Sequence, residues 1–484
     1  MRAARSLLLF FLASLFLAAV LGLVSQTRAD PDLWGHLRFG RDIIVSGTVA
    51  RTPSYSFTAD RPWVNHEWLA EVIMASAYRA GSAGLLALSA TVAVATFLAL
   101  AVIILGAGVR GPAAAGLLAA AMLGASLQLM TVRPQLFSVL LLAVLLLILT
   151  RSPRRPALLV ATPALFALWA NLHGGWIVGM GVLGLWVAVA VARGSLSTWR
   201  AAAVLASAVL GSLCTPYGFG LWTFLAETVR VGRADIEEWE AIWEKPAQFL
   251  PWAVSLLMLG YGCVRLRRDW WLTLPAIALA LLSVRVARLE GLFALTAVAL
   301  AAAGYKGVGR PFQVADRPAP GEILLVVALG LAGLGGAAFA ASRTATCVPL
   351  MTDREMGTPE PEAVRFLSQN QLRGNLLTWF DYGEYAIWHL APRLQVSYDG
   401  RRETAYSERV QEDHAGFYRG DATYARRVKA DYIWIPRSLP VVEPLLAQGW
   451  VAVFAGPRSV VLARQPGQYS QPAAFSGPRC FPGP

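Results

Sequence analysis

Long apolar segments alternate with short polar segments along most of this chain. The uncharged stretches Ala83–Gly106 and Ile323–Ala341 reach the roughly 20 residues that an α-helix needs to cross a bilayer. Hydropathy predicts about eleven such helices, at residues 6–24, 84–106, 112–128, 136–150, 157–171, 174–192, 200–213, 249–264, 270–284, 287–304 and 323–341. The pattern therefore predicts a polytopic α-helical membrane protein. The first run lacks a small-residue cleavage site, so we interpret it as a retained helix and not as a signal peptide.

Basic residues fall in alternate loops between the predicted helices. If the N-terminus is cytoplasmic, every loop on that side carries arginine or lysine, as the positive-inside rule requires. These residues are Arg110, Arg151, Arg154, Arg155, Arg193, Arg200, Arg265, Arg267, Arg268, Lys306, Arg310 and Arg317. We therefore expect a cytoplasmic N-terminus and an extracytoplasmic C-terminus.

The composition supports a membrane protein. Hydrophobic residues make up 56% of the chain and charged residues only 15%, with a mean hydropathy of +0.51. A soluble protein carries roughly a quarter charged residues. The net charge of +12 resides in the loop clusters, which argues against nucleic acid as a partner and for membrane lipids.

The other loops carry unusual polar motifs, and all five histidines lie on that side. The motifs are Asp30–His36, Asn65–Trp68, Val132–Gln135, Asn171–Gly175, Thr215–Gly218, Ile236–Glu240 and Arg285–Arg288. Two of these loops, residues 25–82 and 214–248, are long, and long loops often carry function. Helices are predicted in the first at 34–45 and from Trp63 to Arg79, and the tryptophans of the second suit an interfacial helix. We expect any functional site at the extracytoplasmic surface.

The composition changes after Ala341, where helices and strands begin to alternate. Helices are predicted at 361–369, 382–390, 404–428 and 440–447, and strands at 375–379, 394–398, 431–435, 450–455 and 459–464. The chain thus divides into a transmembrane domain, 1–341, with its large outer loop 25–82, and an extracytoplasmic α/β domain, 342–484. Cys347 and Cys480 bracket this domain where disulfides persist, and the sequence leaves their pairing open.

Two carboxylates stand where the first helix meets water. Asp32 and His36 are spaced to share a helix face, so Asp32 could take the proton of an acceptor hydroxyl group. Glu67 precedes Glu71 by one turn and could orient an acceptor or a cation. The alternatives are helix capping or solvation for Asp30 and Asp32, and a solvated interfacial helix for Glu67.

Imidazole groups accompany these acids. His36, His66 and His173 are candidates for substrate binding, and with the acids they could hold a divalent cation. Their spacing matches no compact metal motif, so the sequence leaves metal and cofactor open. His173 also lies in a helix break whose simpler interpretation is a tight turn between helices.

Three arginines border apolar segments, where a charge is costly unless it faces a polar cavity or a partner. Arg285 and Arg288 are spaced i, i+3 and are predicted to share a helix face, which Arg133 could approach from another helix. Guanidinium groups recognise phosphate through paired hydrogen bonds, so these residues are candidates for binding an anionic lipid headgroup. Snorkelling, or pairing with Glu290, is the alternative.

Together these features resemble the GT-C superfamily, the membrane glycosyltransferases that use sugars linked to lipid phosphates. Asp30-Pro31-Asp32 stands at the position of that family's acidic motif in the first outer loop. Leu377–Gly383 is similar to the Trp-Trp-Asp-Tyr-Gly motif of oligosaccharyltransferase catalytic subunits, with Phe380 in place of the second tryptophan. Val396–Arg402 looks like a feature of a poorly characterised bacterial branch of GT-C-like membrane proteins, which implies the bacterial inner membrane as the location.

The resemblance implies a glycosyltransferase that moves a sugar from a polyprenyl-phosphate-linked donor to an acceptor at the extracytoplasmic membrane face. It implies Asp32, or Asp30, as the base, and it makes Asp381 and Tyr382 candidates for substrate binding. Because Phe380 departs from the motif, and the acids Ile236–Glu238 match a later family motif only loosely, an oligosaccharyltransferase is not implied. The sugar and the acceptor stay open.

A non-enzymatic alternative is a transporter or lipid-handling scaffold with an outer sensing domain. Transporters often contain paired repeats with broken helices near the bilayer midplane. We find no convincing internal repeat, and the polar motifs lie at one face, which favours the enzyme. A GT-C fold that has lost its activity is a third alternative.

Overall fold

Two units assembled from separate stretches of sequence make up the protein. The structure, a computed structural model, describes residues 2–228, 239–266, 271–305, 320–351 and 357–483. The helical unit comprises Met1–Thr27, Ala83–Gly220 and Gly232–Thr346, and the sheet unit comprises Arg28–Ser82, Leu221–Val231 and Cys347–Pro484. The grouping of the first outer loop with the C-terminal region was not expected from the sequence.

The helical unit has an α-helix at every position where hydropathy predicts a span. The helices are α1 (Arg2–Val24), α4 (Gly81–Gly106), α5 (Gly111–Leu129), α6 (Gln135–Arg151), α7 (Thr162–Leu172), α8 (Trp176–Ala192), α9 (Thr198–Ser212), α11 (Pro246–Arg265), α12 (Thr273–Arg285), α13 (Glu290–Gly304) and α14 (Pro320–Thr346). Within the described residues, four segments are long and apolar enough to cross a membrane: Gly81–Gly106, Gly111–Leu129, Pro246–Arg265 and Ala287–Gly304. The count of about eleven spans stays a prediction.

Helix α13 shows how this unit packs. It contacts α5, α11 and α12, and its alanine-rich sequence is buried along nearly its whole length. Small side chains let helix backbones approach closely, which is the main source of helix association inside a bilayer. The small residues of α13 therefore favour close packing with several neighbours.

The sheet unit combines two helices of the first outer loop with a C-terminal α/β fold. Its helices are α2 (Leu33–Ser46), α3 (Trp68–Tyr78), α10 (Gly220–Thr228), α15 (Pro361–Gln369), α16 (Gly383–Leu390), α17 (Glu408–Tyr418), α18 (Thr423–Arg427) and α19 (Val442–Ala447). Its strands are β1 (Gly374–Thr378), β2 (Leu394–Val396), β3 (Tyr432–Pro436), β4 (Val451–Ala455) and β5 (Ser459–Ala463).

These strands form one mixed sheet in the order β2-β1-β3-β5-β4. β1 is parallel to β2 and β3, whereas β5 is antiparallel to β3 and β4. Helix α16 makes the crossover that a parallel β1–β2 pair requires. Leu377, Ile433 and Leu462 contribute to the buried core. Because α2 packs against both α3 and α16, the loop helices are part of the same folded unit as the sheet.

The predicted helix over Trp63–Arg79 was wrong at its start, since α3 begins only at Trp68. The preceding residues hydrogen-bond elsewhere: Trp63 N–H donates to the Arg51 carbonyl (2.8 Å), and Val64 N–H donates to the Thr404 carbonyl (3.1 Å). Both bonds hold the chain out of a helix.

Most other predicted elements of this unit agree closely with the structure. The helical region predicted over 404–428 instead begins at Glu408 and is divided into α17 and α18, because Gly420 adopts a positive φ of 126° between them. Cys347 and Cys480, whose pairing was open, form a disulfide. Several sequence predictions concern residues outside the described ranges, namely Ile236, Glu237, Glu238, Arg267, Arg268, Lys306, Arg310 and Arg317.

Candidate active site

Asp30 lies three residues before the start of helix α2 and hydrogen-bonds to the backbone that leads into it. Its Oδ1 accepts hydrogen bonds from the backbone N–H groups of Asp32 (3.0 Å) and Leu33 (3.1 Å), and its side chain is buried. The first N–H groups of a helix lack partners within the helix, and a short acidic side chain satisfies them well. The capping interpretation therefore applies to Asp30. Asp32 stands directly before α2, and its carboxylate does not cap the helix.

A second carboxyl group, that of Glu384, meets the start of the same helix. Glu384 lies in the first turn of α16 and is only 4% exposed. Its Oε2 accepts a hydrogen bond from the Gly35 N–H (3.1 Å). A methyl group at residue 35 would lie 2.1 Å from that oxygen, so only glycine allows the contact.

Asp32 and Glu384 converge at Gly400. A methyl group at residue 400 would lie 2.6 Å from Glu384 Oε1 and 2.7 Å from Asp32 Oδ1. Both carboxyl oxygens therefore lie close to the Gly400 backbone and close to each other. The structure thus adds a buried acid to the residue that the sequence analysis favours as the base.

A buried ion pair flanks Gly400. Arg401 donates from Nε (2.8 Å) and Nη2 (2.7 Å) to the two carboxylate oxygens of Asp399, and the Tyr406 hydroxyl donates to Asp399 Oδ2 (2.6 Å). Bidentate pairing of this kind fixes the position of both groups. The Arg401 guanidinium also lies 5.0–6.0 Å from the ring centres of four aromatic residues, Phe39, Tyr55, Trp63 and Tyr406.

The motif histidines and acids form a second cluster along α2 and α3. Glu71 is buried; its Oε2 accepts from Asn65 Nδ2 (2.6 Å), and its Oε1 lies 3.4 Å from His36 Nδ1. His66 Nε2 lies 3.6 Å from Glu67 Oε1. Backbone hydrogen bonds from His36 N–H to the Asp32 carbonyl (3.0 Å) and from Glu71 N–H to the Glu67 carbonyl (3.1 Å) confirm the predicted one-turn spacings.

Burial and charge set the protonation of these groups. Burial raises the pKa of Glu384 well above its ordinary value, and the negative charges of Asp32 and Asp399 add to the effect. Burial opposes ionisation of Asp399 too, but the charge and hydrogen bonds of Arg401 outweigh it and lower the pKa of Asp399. Burial would lower the pKa of His36, yet its hydrogen bond with Glu71 and the charges of nearby acids raise it. Burial therefore favours the protonated form of Glu384, whereas the ion pair with Arg401 favours the ionised form of Asp399.

Asp381 and Tyr382 lie in the sheet unit. Tyr382 is 1% exposed and packs on Trp434 with ring centres 5.2 Å apart. Burial raises the pKa of the Tyr382 hydroxyl above its ordinary value of 10.0. These contacts favour a packing role for Tyr382. Asp381 is half-buried.

His173 belongs to the helical unit. Its Nδ1 accepts the Gly175 N–H (3.0 Å) and the Ser138 hydroxyl (2.7 Å), and Ser138 in turn accepts the Trp169 Nε1–H (2.7 Å). Because a backbone N–H can only donate, the neutral His173 ring carries its proton on Nε2. The helix break at His173 is thus fixed by a specific hydrogen-bond chain.

The prediction that Arg285 and Arg288 share one helix face was wrong. Helix α12 ends at Arg285, Val286 is extended, and Ala287–Leu289 form a separate 3₁₀ turn before α13. The break has a physical cause, because the Ala287 N–H donates to the Glu240 carbonyl (3.0 Å) and leaves the helical pattern. Arg285 is exposed, and Arg288 and Arg133 are half-buried.

Within the described residues, no group of three or more histidine, cysteine or acidic side chains has the arrangement of a metal site. The metal question raised by the motif histidines therefore stays open. His36 engages Glu71 and His173 engages Ser138, so hydrogen bonds account for both rings.

Three membrane glycosyltransferases of known structure are similar to this chain. AglB, the oligosaccharyltransferase from Archaeoglobus fulgidus in complex with an inhibitory peptide and a dolichol-phosphate, aligns over 88% of this chain and 69% of its own, with 11% identity and a TM-score of 0.56. ArnT from Cupriavidus metallidurans bound to undecaprenyl phosphate aligns over 95% and 98%, with 15% identity and a TM-score of 0.53. The arabinofuranosyltransferase AftD from Mycobacteria aligns over 96% and 40%, with 16% identity and a TM-score of 0.51.

All three are members of the GT-C superfamily. The protein has the GT-C fold. The resemblance inferred from the motifs is therefore confirmed for the fold, as is the expectation of a polytopic helical part joined to a C-terminal sheet domain. No protein-family model and no curated protein matches the sequence.

Some residues that complete the site in this GT-C fold escaped the sequence analysis. Glu384 directly follows the Asp381–Gly383 motif, and Asp399 and Arg401 lie in the Val396–Arg402 motif. Proximity to recognised motifs was therefore a usable signal for all three. Their roles depend on contacts between distant parts of the chain, which spacing alone does not indicate.

Proposed function

We propose that this protein is a glycosyltransferase that moves a sugar from a polyprenyl-phosphate donor to an acceptor at the extracytoplasmic membrane face. The supporting observation is the Asp32 carboxylate, which stands at the start of α2 beside Glu384 and Gly400 in a chain with the GT-C fold. Asp30 caps the helix, which leaves Asp32 as the preferred base. AglB and ArnT have been solved with dolichol-phosphate and undecaprenyl phosphate, so lipid phosphates are the donor class to test.

The proposed step is a single displacement. An acceptor hydroxyl or amide attacks the anomeric carbon, the bond between that carbon and the phosphate oxygen breaks, and the lipid phosphate departs. Asp32 takes the proton that the acceptor loses. Glu67 orients the acceptor, and His36 and His66 contribute to substrate binding.

The helical unit would serve the anionic part of the donor. Arg133, Arg285 and Arg288 are the proposed contacts to the lipid phosphate, where fixed guanidinium groups stabilise negative charge on the leaving group. His173, held by Ser138 with its proton on Nε2, is a proposed hydrogen-bond donor to substrate. We also propose that the N-terminus is cytoplasmic and that the sheet unit is extracytoplasmic, in a bacterial inner membrane.

The first experiment identifies the lipid. The full chain is purified in detergent, and the lipids that accompany it are measured by mass spectrometry and compared with those of an unrelated polytopic protein. We expect enrichment of a polyprenyl phosphate or its glycosylated form, which is then offered as a labelled donor. A protein that enriches no polyprenyl lipid and transfers no label from a panel of polyprenyl-phosphate sugars would overturn the proposal.

A second experiment tests the arginines. Arg285→Gln and Arg288→Gln should weaken binding of a polyprenyl phosphate more than binding of the neutral polyprenol, because only the first ligand carries the charge that guanidinium recognises. Arg154→Gln, in a loop on the predicted opposite face, is the matched control. Equal losses for both lipids would indicate a structural role instead.

A further inference from the structure

The first turn of helix α2 donates a hydrogen bond to a side chain from a distant part of the chain. Gly35 lies in its first turn, where N–H groups have no partner inside the helix. Glu384, 349 residues later, provides that partner through Oε2 at 3.1 Å. A negative or polar group at a helix N-terminus is stabilised by the helix dipole. The contact therefore ties the start of α2, and with it Asp32, to α16.

The other oxygen of Glu384 lies beside Gly400, as does the carboxylate of the proposed base. Glu384 Oε1 and Asp32 Oδ1 both lie within 2.7 Å of where a Gly400 methyl group would stand. The absence of a side chain at residue 400 is thus what makes room for both carboxyl groups.

The charged groups around Glu384 come from three elements. Asp32 approaches from the start of α2 and Glu71 from α3, while Asp399 and Arg401 approach from the loop after β2. Asp399 binds Arg401 through two hydrogen bonds and so offsets most of its charge. The net field at Glu384 is negative, which together with burial raises its pKa and favours the protonated acid.

We infer that Glu384 is a positioning residue for Asp32: its carboxyl group holds the start of α2 through the Gly35 N–H and lies beside Asp32 at Gly400. The inference rests on the proposed function. Glu384 touches Gly35 and lies beside Asp32, and the reaction itself needs no second base. Its part is to hold the start of α2, and with it the Asp32 carboxylate, in one position through the Gly35 N–H.

Three substitutions test this inference by kinetics. Glu384→Ala removes the Gly35 contact and should lower kcat by about 10²-fold, the effect of a displacement near 1 Å, with little change in donor KM. Glu384→Gln keeps a neutral polar group, so it should restore much of that loss and change the alkaline side of the pH–kcat profile. Gly400→Ala should lower kcat similarly, because the methyl group displaces both carboxyl groups.

Gly416→Ala is the matched control, since its added methyl group in α17 meets no atom within 4 Å. It should keep the wild-type kcat. A Glu384→Ala protein with the kcat and pH profile of wild type would overturn the inference while leaving the proposed function intact. Absence of transfer by wild type would instead count against the proposed function.

A stability measurement tests the inference about Glu384 independently of whether the protein transfers a sugar. The raised pKa of Glu384 means that its contribution to stability is present below the ordinary value of 4.5 and is lost as pH rises through the folded-state pKa. Wild type should therefore lose thermal stability relative to Glu384→Gln as pH increases. Identical pH dependence of the two melting temperatures would contradict the buried position of Glu384 beside Asp32, and with it the inference, whether or not transfer is observed.

Discussion

Trp34 Nε1 donates a 2.7 Å hydrogen bond to the backbone carbonyl of Pro482, 448 residues later in the chain. The neighbouring Phe481 packs its ring on Trp34 with centroids 5.1 Å apart, and Cys480 is joined to Cys347. Trp34 precedes Gly35, the residue that binds Glu384. The C-terminal segment is therefore part of the packing that holds the first turn of α2.

The disulfide should contribute measurably to stability. Cys347→Ser combined with Cys480→Ser frees a closed loop of 133 residues, and losing a native disulfide commonly costs about 2–5 kcal/mol. We expect a lower melting temperature in detergent than for wild type under non-reducing conditions. Cys214→Ser with Cys263→Ser is the control, because both cysteines are free. A melting temperature unchanged by loss of the disulfide would contradict this prediction.

The Asp399–Arg401 pair should be more costly to break than an exposed pair in the same unit. Arg401→Ala leaves the fully buried Asp399 without its partner, and breaking such a pair usually costs about 3–5 kcal/mol. Arg427 pairs with Asp413 at 2.8 Å, but its side chain is 52% exposed, so Arg427→Ala should cost about 1 kcal/mol or less. Thermal unfolding of the two variants gives the comparison. Similar losses of stability in the two variants would mean that the buried Asp399–Arg401 pair contributes no more than the exposed pair.

Acid should destabilise the sheet unit through His414. Its Nδ1–H donates to the Val410 carbonyl (2.8 Å), its ring stacks on Tyr398, and burial lowers its pKa to about 4. The neutral ring is thus favoured in the folded state, so stability is present above the ordinary pKa of 6.5 and is lost as pH falls toward 4. The loss at pH 5 should be about 2 kcal/mol for such a group.

His414→Gln tests this effect by the change in melting temperature between pH 7 and pH 5. The change should be smaller in the variant than in wild type. Burial also lowers the pKa of His389 to about 4, so a second substitution there should reduce the change further. A variant as acid-sensitive as wild type would show that other groups control the response.

Hydropathy was sufficient to place the helices because a helix that crosses a bilayer needs a long apolar sequence. Strand and helix boundaries in the C-terminal region were also predictable, since local patterns and turns define them. The positions of Arg285 and Arg288 were not predictable, because the helix break at Val286 depends on a hydrogen bond from the Ala287 N–H to the carbonyl of the distant Glu240. Glu384 was missed for a similar reason, as its partner Gly35 lies 349 residues away.

The proposed orientation can be tested by labelling with a membrane-impermeant thiol reagent. Arg154→Cys lies in a predicted cytoplasmic loop and Ser54→Cys in the first outer loop, and both native side chains are exposed. In a background lacking Cys214 and Cys263, only the cysteine at residue 54 should react in intact cells. Both should react after permeabilisation. Labelling of residue 154 alone in intact cells would invert the orientation.

Asp32 is the catalytic carboxylate that we propose, whereas Asp30 accepts hydrogen bonds from the backbone N–H groups of Asp32 and Leu33. Asp32→Asn keeps the shape of the side chain but removes the proton acceptor, so turnover should fall about 10²–10⁴-fold with little change in donor binding. Asp30→Asn should be milder, since asparagine caps helices about as well as aspartate and can accept from Asp32 N–H and Leu33 N–H as Asp30 does. Asp30→Ala should lose stability, by about 0.5–2 kcal/mol.

Glycosyl transfer from the donor found by mass spectrometry, measured together with thermal stability, distinguishes the roles of Asp30 and Asp32. Full turnover by a well-folded Asp32→Asn protein would eliminate Asp32 as the base, and a comparable loss in Asp30→Asn alone would move that role to Asp30.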